Sequence, residues 1–396
     1  MTALNNYFKG TACKYLSAVD ASPKTSNQHE IGSNKFTAIL GVPGTNKIRF
    51  DATFMFFSPD AEEPDTCTDV VTYYDTRAGQ PHRSAEYRLY YPSNAITELM
   101  SAGDFCLISL RTDGELLIAI APQGSADERR LRYLFNADNA QQQWAVGTEV
   151  DSSELDLASR SILNAIGIET AEPIENLLGL IIDKFGLIFP KTVVFSEFAR
   201  TTLANQINAA DQPDLALEEW MKQEERLFRT LEREIVGTRI KKGFDSVEAF
   251  IAFSLSVQNR RKSRVGHALE NHLESVFKAS TVRYQRGAKT EGNSKPDFLF
   301  PSAKEYHDHN VSSPPLRMLA SKSTCKDRWR QILAEATRIP QKHLFTLETA
   351  ISESQTNEMV SHSVQLVVPP SVAKTFSPQQ QLQLINLKDF VTLLER

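Results

Sequence analysis

Asp297, Lys322 and Glu335 are the residues whose types and spacing in this sequence can do chemistry together. Asp297 opens the strand-like segment KPDFLF, and 25 residues later a second apolar segment, LRMLASK, ends in Lys322. Glu335 follows 13 residues on, where a helix begun near Asp327 would present it some two turns in. Two carboxylates and a lysine at the ends of adjacent strands suit metal-assisted hydrolysis of a phosphodiester. The acids would hold a hard divalent cation, Mg²⁺ by expectation, through oxygen ligands. The cation would polarise the phosphoryl oxygen and acidify a bound water, while the lysine aligns that water and stabilises the developing charge. Taken singly the same groups would also serve as surface salt bridges. Upstream, Glu270 and Glu274 lie four apart on a predicted helix, and so on one face.

Charged neighbours surround this set. Lys326, Asp327 and Arg328 follow Lys322 closely at an expected helix N-terminus. Arginine can donate a bidentate pair to guanine, aspartate can accept from cytosine N4, and lysine can take a guanine edge or a phosphate. The triplet is therefore complementary to a G·C-rich sequence, at a place where several DNA-reading motifs put their base contacts. In VQNRRKSR, Arg260, Arg261, Lys262 and Arg264 precede the helix bearing Glu270. They read equally well as a phosphate clamp or as a solvated helix start. The net charge of −5 argues weakly against a nucleic-acid partner, but its distribution reverses that. Between Arg239 and Lys342 there are 20 Lys or Arg against 10 Asp or Glu, the footprint of a face that meets phosphate.

The elements that must position these groups fall into two halves. A chain of 396 residues predicts two domains. Strands are expected at 46–57, 68–76, 85–91, 103–111 and 115–122, short β-branched or aromatic runs that suggest a barrel or sandwich. The polar stretch 141–160 marks the fading of that domain, with a loose connection near 165–185. From about 192 the pattern turns helical. Residues 213–236 carry apolar side chains on one face, as a core helix or a subunit contact. Further helices are expected at 244–258 and 263–278, strands at PDFLFP and LRMLASK, a helix from Asp327, and a last buried strand in HSVQLVVPP. Helices around a mixed sheet give α/β or α+β for this half.

Other classes are excluded or weakened. The longest apolar stretch, LLGLIIDKFGLIF, is interrupted by Asp183 and Lys184 and is too short to cross a bilayer. The N-terminus lacks the order of a signal peptide, so a cytoplasmic location and no membrane partner are expected. Cys13, Cys67, Cys106 and Cys325 form no C-x-x-C pair, and His307 and His309 in YHDHN suit a polar loop better than a metal site.

The stretches NRRKSRVGHALENHLE, EGNSKPDFLFPSAKEYHD and LRMLASKSTCKDRWRQILAEA, in that order, closely resemble the catalytic domain of EcoRII-type restriction endonucleases, in the PD-(D/E)XK nuclease superfamily. The resemblance is strong over roughly 240–345 and weaker from about 189 to the C-terminus. It implies an α/β catalytic domain, a mixed sheet flanked by helices, over 189–396, a linker over 171–188, and a β-rich, B3-like pseudobarrel effector domain over 1–170. It implies Asp297, Lys322 and Glu335 as the catalytic set, with Asp297 and Glu335 on the metal, Glu270 as an accessory acid and Tyr306 as a neighbour. It also implies Lys326, Asp327 and Arg328 as readers of the CC·GG part of a CCWGG-like target, cut 5′ of the first cytosine. Ala320 stands where the superfamily places an acid two residues before the lysine. The family is similar in using a later glutamate, here Glu335, instead.

Members of this family are described as extruding the central base pair. Trp220 lies near where such a pocket is placed, while Met221 and Glu225 stand where a stacking arginine and a tyrosine would be expected. In the N-terminal half, His29, Arg83, Glu86 and Arg88 would contact a second copy of the target, although a plain exposed hairpin accounts for the last three equally well. That effector domain would occlude the catalytic cleft until DNA binds it, which requires DNA to prefer the open state. The resemblance also implies double-stranded DNA as partner and a cognate DNA methyltransferase as companion. Two cuts through a duplex favour a homodimer, with a monomer nicking each strand in turn as the other arrangement. Two competing activities are a non-catalytic, sequence-specific DNA-binding regulator on a decayed nuclease fold, and a structure-specific repair nuclease.

Overall fold

The computed structural model describes residues 3–21, 29–58, 61, 63–80, 82–137, 140–141, 143–147, 155–168, 175–203, 207–292, 294–309 and 315–395. Within them, a few side chains, those of Lys326 and Asp327 included, fall outside the description. The chain divides into two compact units, Met1–Ile168 and Glu169–Arg396. No helix among the described residues is long and apolar enough to cross a membrane.

The first unit is built on eight strands: β1 (Phe8–Tyr15), β2 (Glu30–Gly32), β3 (Ile48–Phe56), β4 (Asp65–Asp75), β5 (Tyr87–Tyr90), β6 (Phe105–Arg111), β7 (Leu116–Ala121) and β8 (Ala145–Gly147). They hydrogen-bond in the order β2-β5-β4-β3-β7-β6-β1-β8, antiparallel except for the parallel pair β3 and β7. Side chains alternate between two cores, as the two-residue period of a strand requires. Cys106 and Ile108 face Phe54, Tyr73 and Trp144, while Phe105 and Leu107 face Leu131, Leu134 and Leu163. Burial on both faces explains why β6 and β7 read as continuous apolar runs rather than alternating ones. The expected strands recur as β3 to β7. Missing from the expectation were β1, β2 and β8, of which β1 is interrupted by Lys9, Gly10 and Lys14.

The second unit holds a five-stranded mixed sheet: β9 (Gln285–Arg286), β10 (Phe298–Phe300), β11 (Arg317–Lys322), β12 (Lys342–Thr346) and β13 (Val364–Val367), in the order β13-β12-β11-β10-β9. β11, β12 and β13 run parallel, and the other pairs are antiparallel. Helices cover both faces. On one, Phe277 meets the rings of Phe298 and Phe300 at 5.1 and 5.2 Å, with Phe390 against Phe300 and His343. On the other, Leu299, Met318, Ala320, Leu344 and Leu366 share a core with Trp329, Ile332 and Met359.

Two long helices, Pro213–Lys242 and Val247–Ala279, pack on each other, and the second lies against β11. Proline suits the first turn of a helix, where its missing N–H has no partner to lose. Gly243, at φ +81°, ends the first helix, and Ser246 restarts the second by accepting the Ala249 amide. The two helices expected at 244–258 and 263–278 are thus one, unbroken through NRRKS. Inside the expected connection, Glu175–Phe185 is helical, and its Ile181 is buried with Phe195, Phe198 and Leu227.

Candidate active site

Asp297 precedes β10, and β10 pairs with β11, so antiparallel register brings the acid beside the end of β11. Its Oδ2 accepts the backbone amide of Ser321 at 2.7 Å and the ammonium of Lys322 at 3.2 Å. Lys322 and Asp297 are each about one-fifth to one-quarter exposed, so the pair borders solvent without being immersed in it.

Glu335 reaches the same place by a different route from the one expected. The helix from Lys326 to Ala334 is 3-10 rather than α, and Glu335 is the residue just beyond it, with extended backbone. Three residues per turn stack positions 329, 332 and 335 on one edge. Trp329 and Ile332 on that edge are fully buried, which draws Glu335 half under cover. Its carboxyl is pushed above the usual glutamate value, first by burial and then by the negative charge of Asp297, with Lys322 and Lys342 pulling the other way. The mutual influence of Glu335, Asp297 and Lys322 places the three in one electrostatic neighbourhood.

The remaining expected residues divide. Among the described residues Glu270 bonds Arg286, at 2.7 Å, rather than Asp297, Lys322 or Glu335. Glu274 takes the other arm of Arg286 at 2.9 Å and the Tyr284 hydroxyl at 3.0 Å. Tyr306 is buried, with its hydroxyl on Glu291, and accepts the Arg338 amide at 3.2 Å. Arg328 is exposed on the 3-10 helix, whereas the side chains of Lys326 and Asp327 lie outside the described residues.

Arg260, Arg261, Lys262 and Arg264 sit in mid-helix. Arg264 is buried against Glu224 and Glu225, Arg261 bonds Glu232 at 2.7 Å, Arg260 lies over the Phe189 ring at 4.2 Å, and Lys262 is exposed. Trp220 and Met221 are buried, the former beside the His272 ring. In the first unit Arg88 is gripped by Glu30 at 2.6 Å and Glu86 at 2.7 Å, bordering a cavity of about 530 Å³. Arg83 is exposed and reaches Gln80 at 3.1 Å, and His29 packs edge-on against Tyr91.

Two residues of this neighbourhood were not singled out from the sequence. Ser321 aims Asp297 through its amide. Lys342, at the start of β12, is buried and points its ammonium into the turn that carries Glu335. A lysine opening a run as apolar as HLF was the available signal.

A family model described as EcoRII C terminal matches residues 228–391. Over 401 aligned positions the chain is 33% identical to the type II restriction enzyme EcoRII of Escherichia coli, covering 99% of this chain and 95% of that protein. The chain belongs to the EcoRII family of type II restriction endonucleases. Its activity is accordingly that of a site-specific deoxyribonuclease. Solved structures similar to it include metal-depleted Ecl18kI in complex with uncleaved, modified DNA, at 17% identity and TM-score 0.45, covering 57% of this chain and 84% of that one. A PspGI restriction endonuclease complex with substrate DNA is similar at 16% identity and TM-score 0.42, covering 52% and 94%. In this EcoRII-family chain, Asp297 and Lys322 meet at the adjoining ends of β10 and β11, and both charges act on Glu335. Among the described residues, no group of three or more His, Cys, Asp or Glu could hold a metal ion by itself. The two carboxylates give an all-oxygen donor pair, which fits a hard divalent cation whose other ligands are water and phosphate oxygens.

Proposed function

We propose that the chain makes Mg²⁺-dependent double-strand cuts in DNA at CCWGG or a closely related CC/GG-containing site. The observation that carries this reading is Lys322 bonded to Asp297 at the end of β11, with Glu335 in the same electrostatic neighbourhood. Asp297 and Glu335 would hold the cation, and when bound it would supply Lewis-acid stabilisation and an acidified water. Asp297 is oriented before any substrate arrives, because its carboxylate already accepts a backbone amide. Lys322 presents a mobile point charge that can shift from Asp297 to a non-bridging phosphate oxygen as negative charge builds there. Half-burial of Glu335 keeps water away from one side of the pair and strengthens each of these interactions.

In this proposal Arg328, Lys326 and Asp327 read the G·C pairs, and the first unit binds a second copy of the target as effector. Glu86 and Glu30 offer acceptors for cytosine amino groups, and Arg88 is the cation they hold ready. Cutting both strands of a twofold target asks for two catalytic sets, hence a homodimer, and a methyltransferase of the same specificity to protect the host's own sites. The test is digestion of methylation-free plasmid with Mg²⁺ and sequencing of the ends. Discrete fragments opening at CC/GG sites, abolished by Lys322→Ala, are expected. Cuts scattered by structure rather than sequence, or fragments that survive Lys322→Ala, would overturn it.

A further inference from the structure

The turn carrying Glu335 is gripped from two sides by groups outside the catalytic set. On one side Lys342, 4% exposed, donates to the carbonyl oxygens of Glu335 and Ala336 at 2.6 Å each and of Ile339 at 2.8 Å. On the other, Glu291 accepts the Thr337 hydroxyl at 2.8 Å and the Tyr306 hydroxyl, whose oxygen receives the Arg338 amide at 3.2 Å. The Thr290 hydroxyl oxygen receives the Ala336 amide at 3.4 Å. Between these groups Ala336 has φ +46°, a left-handed conformation that a residue with a Cβ adopts when its surroundings impose it.

The chemistry explains why a lysine stands there. The chain between the helix end at Ala334 and β12 is irregular, and its Glu335, Ala336 and Ile339 carbonyls converge in a buried place. An ammonium carries three donors and no acceptor, and three carbonyls take all three. Lys342 therefore has no proton left over for DNA or for a leaving group, and acts through the backbone it holds. An apolar replacement would take the ammonium from the Glu335 and Ile339 carbonyls and leave Ala336 only the Ile339 amide, and a buried unpartnered carbonyl is costly enough to drive the turn to another conformation.

We propose that Lys342 is a positioning residue for the active site, which together with the Thr337–Glu291–Tyr306 chain fixes the backbone of Glu335 so that its carboxylate meets the cation shared with Asp297. This rests on the cleavage reading above and adds to it the device that sets the second acid in place of an acid at position 320.

Two measurements test it. The first is the divalent-cation concentration for half-maximal cleavage of a duplex that the unmodified chain cuts. The second is Mn²⁺ affinity, followed by electron paramagnetic resonance, on Lys322→Ala protein holding that duplex uncut. Lys342→Met is expected to raise the cation requirement and weaken Mn²⁺ binding by about 10- to 100-fold, the range seen when groups that orient a metal ligand are removed. Thr337→Val, which loosens the turn from its other side and keeps Lys342, should shift both readouts the same way by a smaller factor. It carries the test if Lys342→Met fails to fold. In a Glu335→Ala background neither change should weaken Mn²⁺ binding further, because both act through that carboxylate. Unaltered Mn²⁺ affinity in the single variants, or an equal further loss in the Glu335→Ala background, would overturn the proposal. Failure of the unmodified chain to cut any duplex would instead overturn the cleavage reading.

Discussion

Among the described residues of the second unit, two of the clusters of opposed charges are built on opposite plans. Between the helices Thr192–Thr201, Pro213–Lys242 and Val247–Ala279, Glu224 and His272 are wholly buried. Glu224 meets His272 at 3.0 Å and Arg264 at 3.5 Å, and Arg200 approaches the other ring nitrogen of His272 at 3.0 Å. In the other cluster, Asp297 and Lys322 at the ends of β10 and β11 and Glu335 just past the 3-10 helix are each partly open, and Glu335 is held in an environment that resists its charge. The closed cluster sets its charges against one another and links three helices. The open one leaves charge to be satisfied by something that binds. Arginine-rich sequence alone does not separate the two plans: Arg264 lies in the run that reads as a phosphate clamp, yet belongs to the closed cluster.

Breaking the open cluster should cost the most activity and the least stability. Lys322→Ala is expected to lower kcat by about 10³-fold or more, at least the cost of losing one charge-stabilising donor and enough to leave no fragments in the same digest, with little change in thermal midpoint. Breaking the closed cluster should do the reverse. Arg264→Leu leaves Glu224 buried with one cation fewer and is expected to cost about 3–5 kcal/mol in denaturant unfolding, with cleavage per folded molecule retained.

The pH dependence sharpens the contrast. If Glu335 holds the cation as proposed, it must be ionised to do so, and its pKa is raised by burial, so the acid limb of the rate profile should lie above the range of an exposed glutamate. Added cation competes with the proton and should move that limb to lower pH. Glu291 shifts in the other direction: burial opposes its charge, but hydrogen bonds from Tyr306 and Thr337 outweigh it and hold the carboxyl at about 2. A carboxyl lowered on folding adds stability that is fully present above its unfolded value, near 4.5, and is lost as pH falls towards 2. Glu291→Gln should flatten that part of the stability profile. The smallest effect is expected at Arg261, more than a third exposed on its bond to Glu232, where Arg261→Ala should cost no more than about 1 kcal/mol. If Arg261 also meets phosphate, the salt slope of DNA binding should fall by about 1 in the same variant.

Much of the fold around the site was legible where apolar runs are short and bounded. FLF and RMLA announced β10 and β11, and the strand expected in HSVQLVVPP is β13. β12 was not seen, because it opens with Lys342 and His343, polar residues that are buried all the same. Lys342 is satisfied by three carbonyls contributed by a turn that no local pattern reveals. The helix Val247–Ala279 was read as two because NRRKS breaks the apolar period, although Arg261 and Arg264 are turned inward to carboxylates on the neighbouring helix. Glu335 was assigned to an α-helix. The spacing of Trp329 and Ile332, three apart, fits the tighter helix equally well, and only packing against β11 and β12 decides between them.

Asp297 is aimed by two donors of one residue, the Ser321 amide at 2.7 Å and the Ser321 hydroxyl at 3.4 Å, and the shorter of them belongs to the main chain and survives a change of side chain at position 321. Because Ser321 is buried, a small side chain fits there best, and such a replacement keeps the acid's main-chain donor, with proline, which has no amide hydrogen, as the exception. Position 321 thus separates what the main chain contributes to the bearing of Asp297 from what a side chain adds.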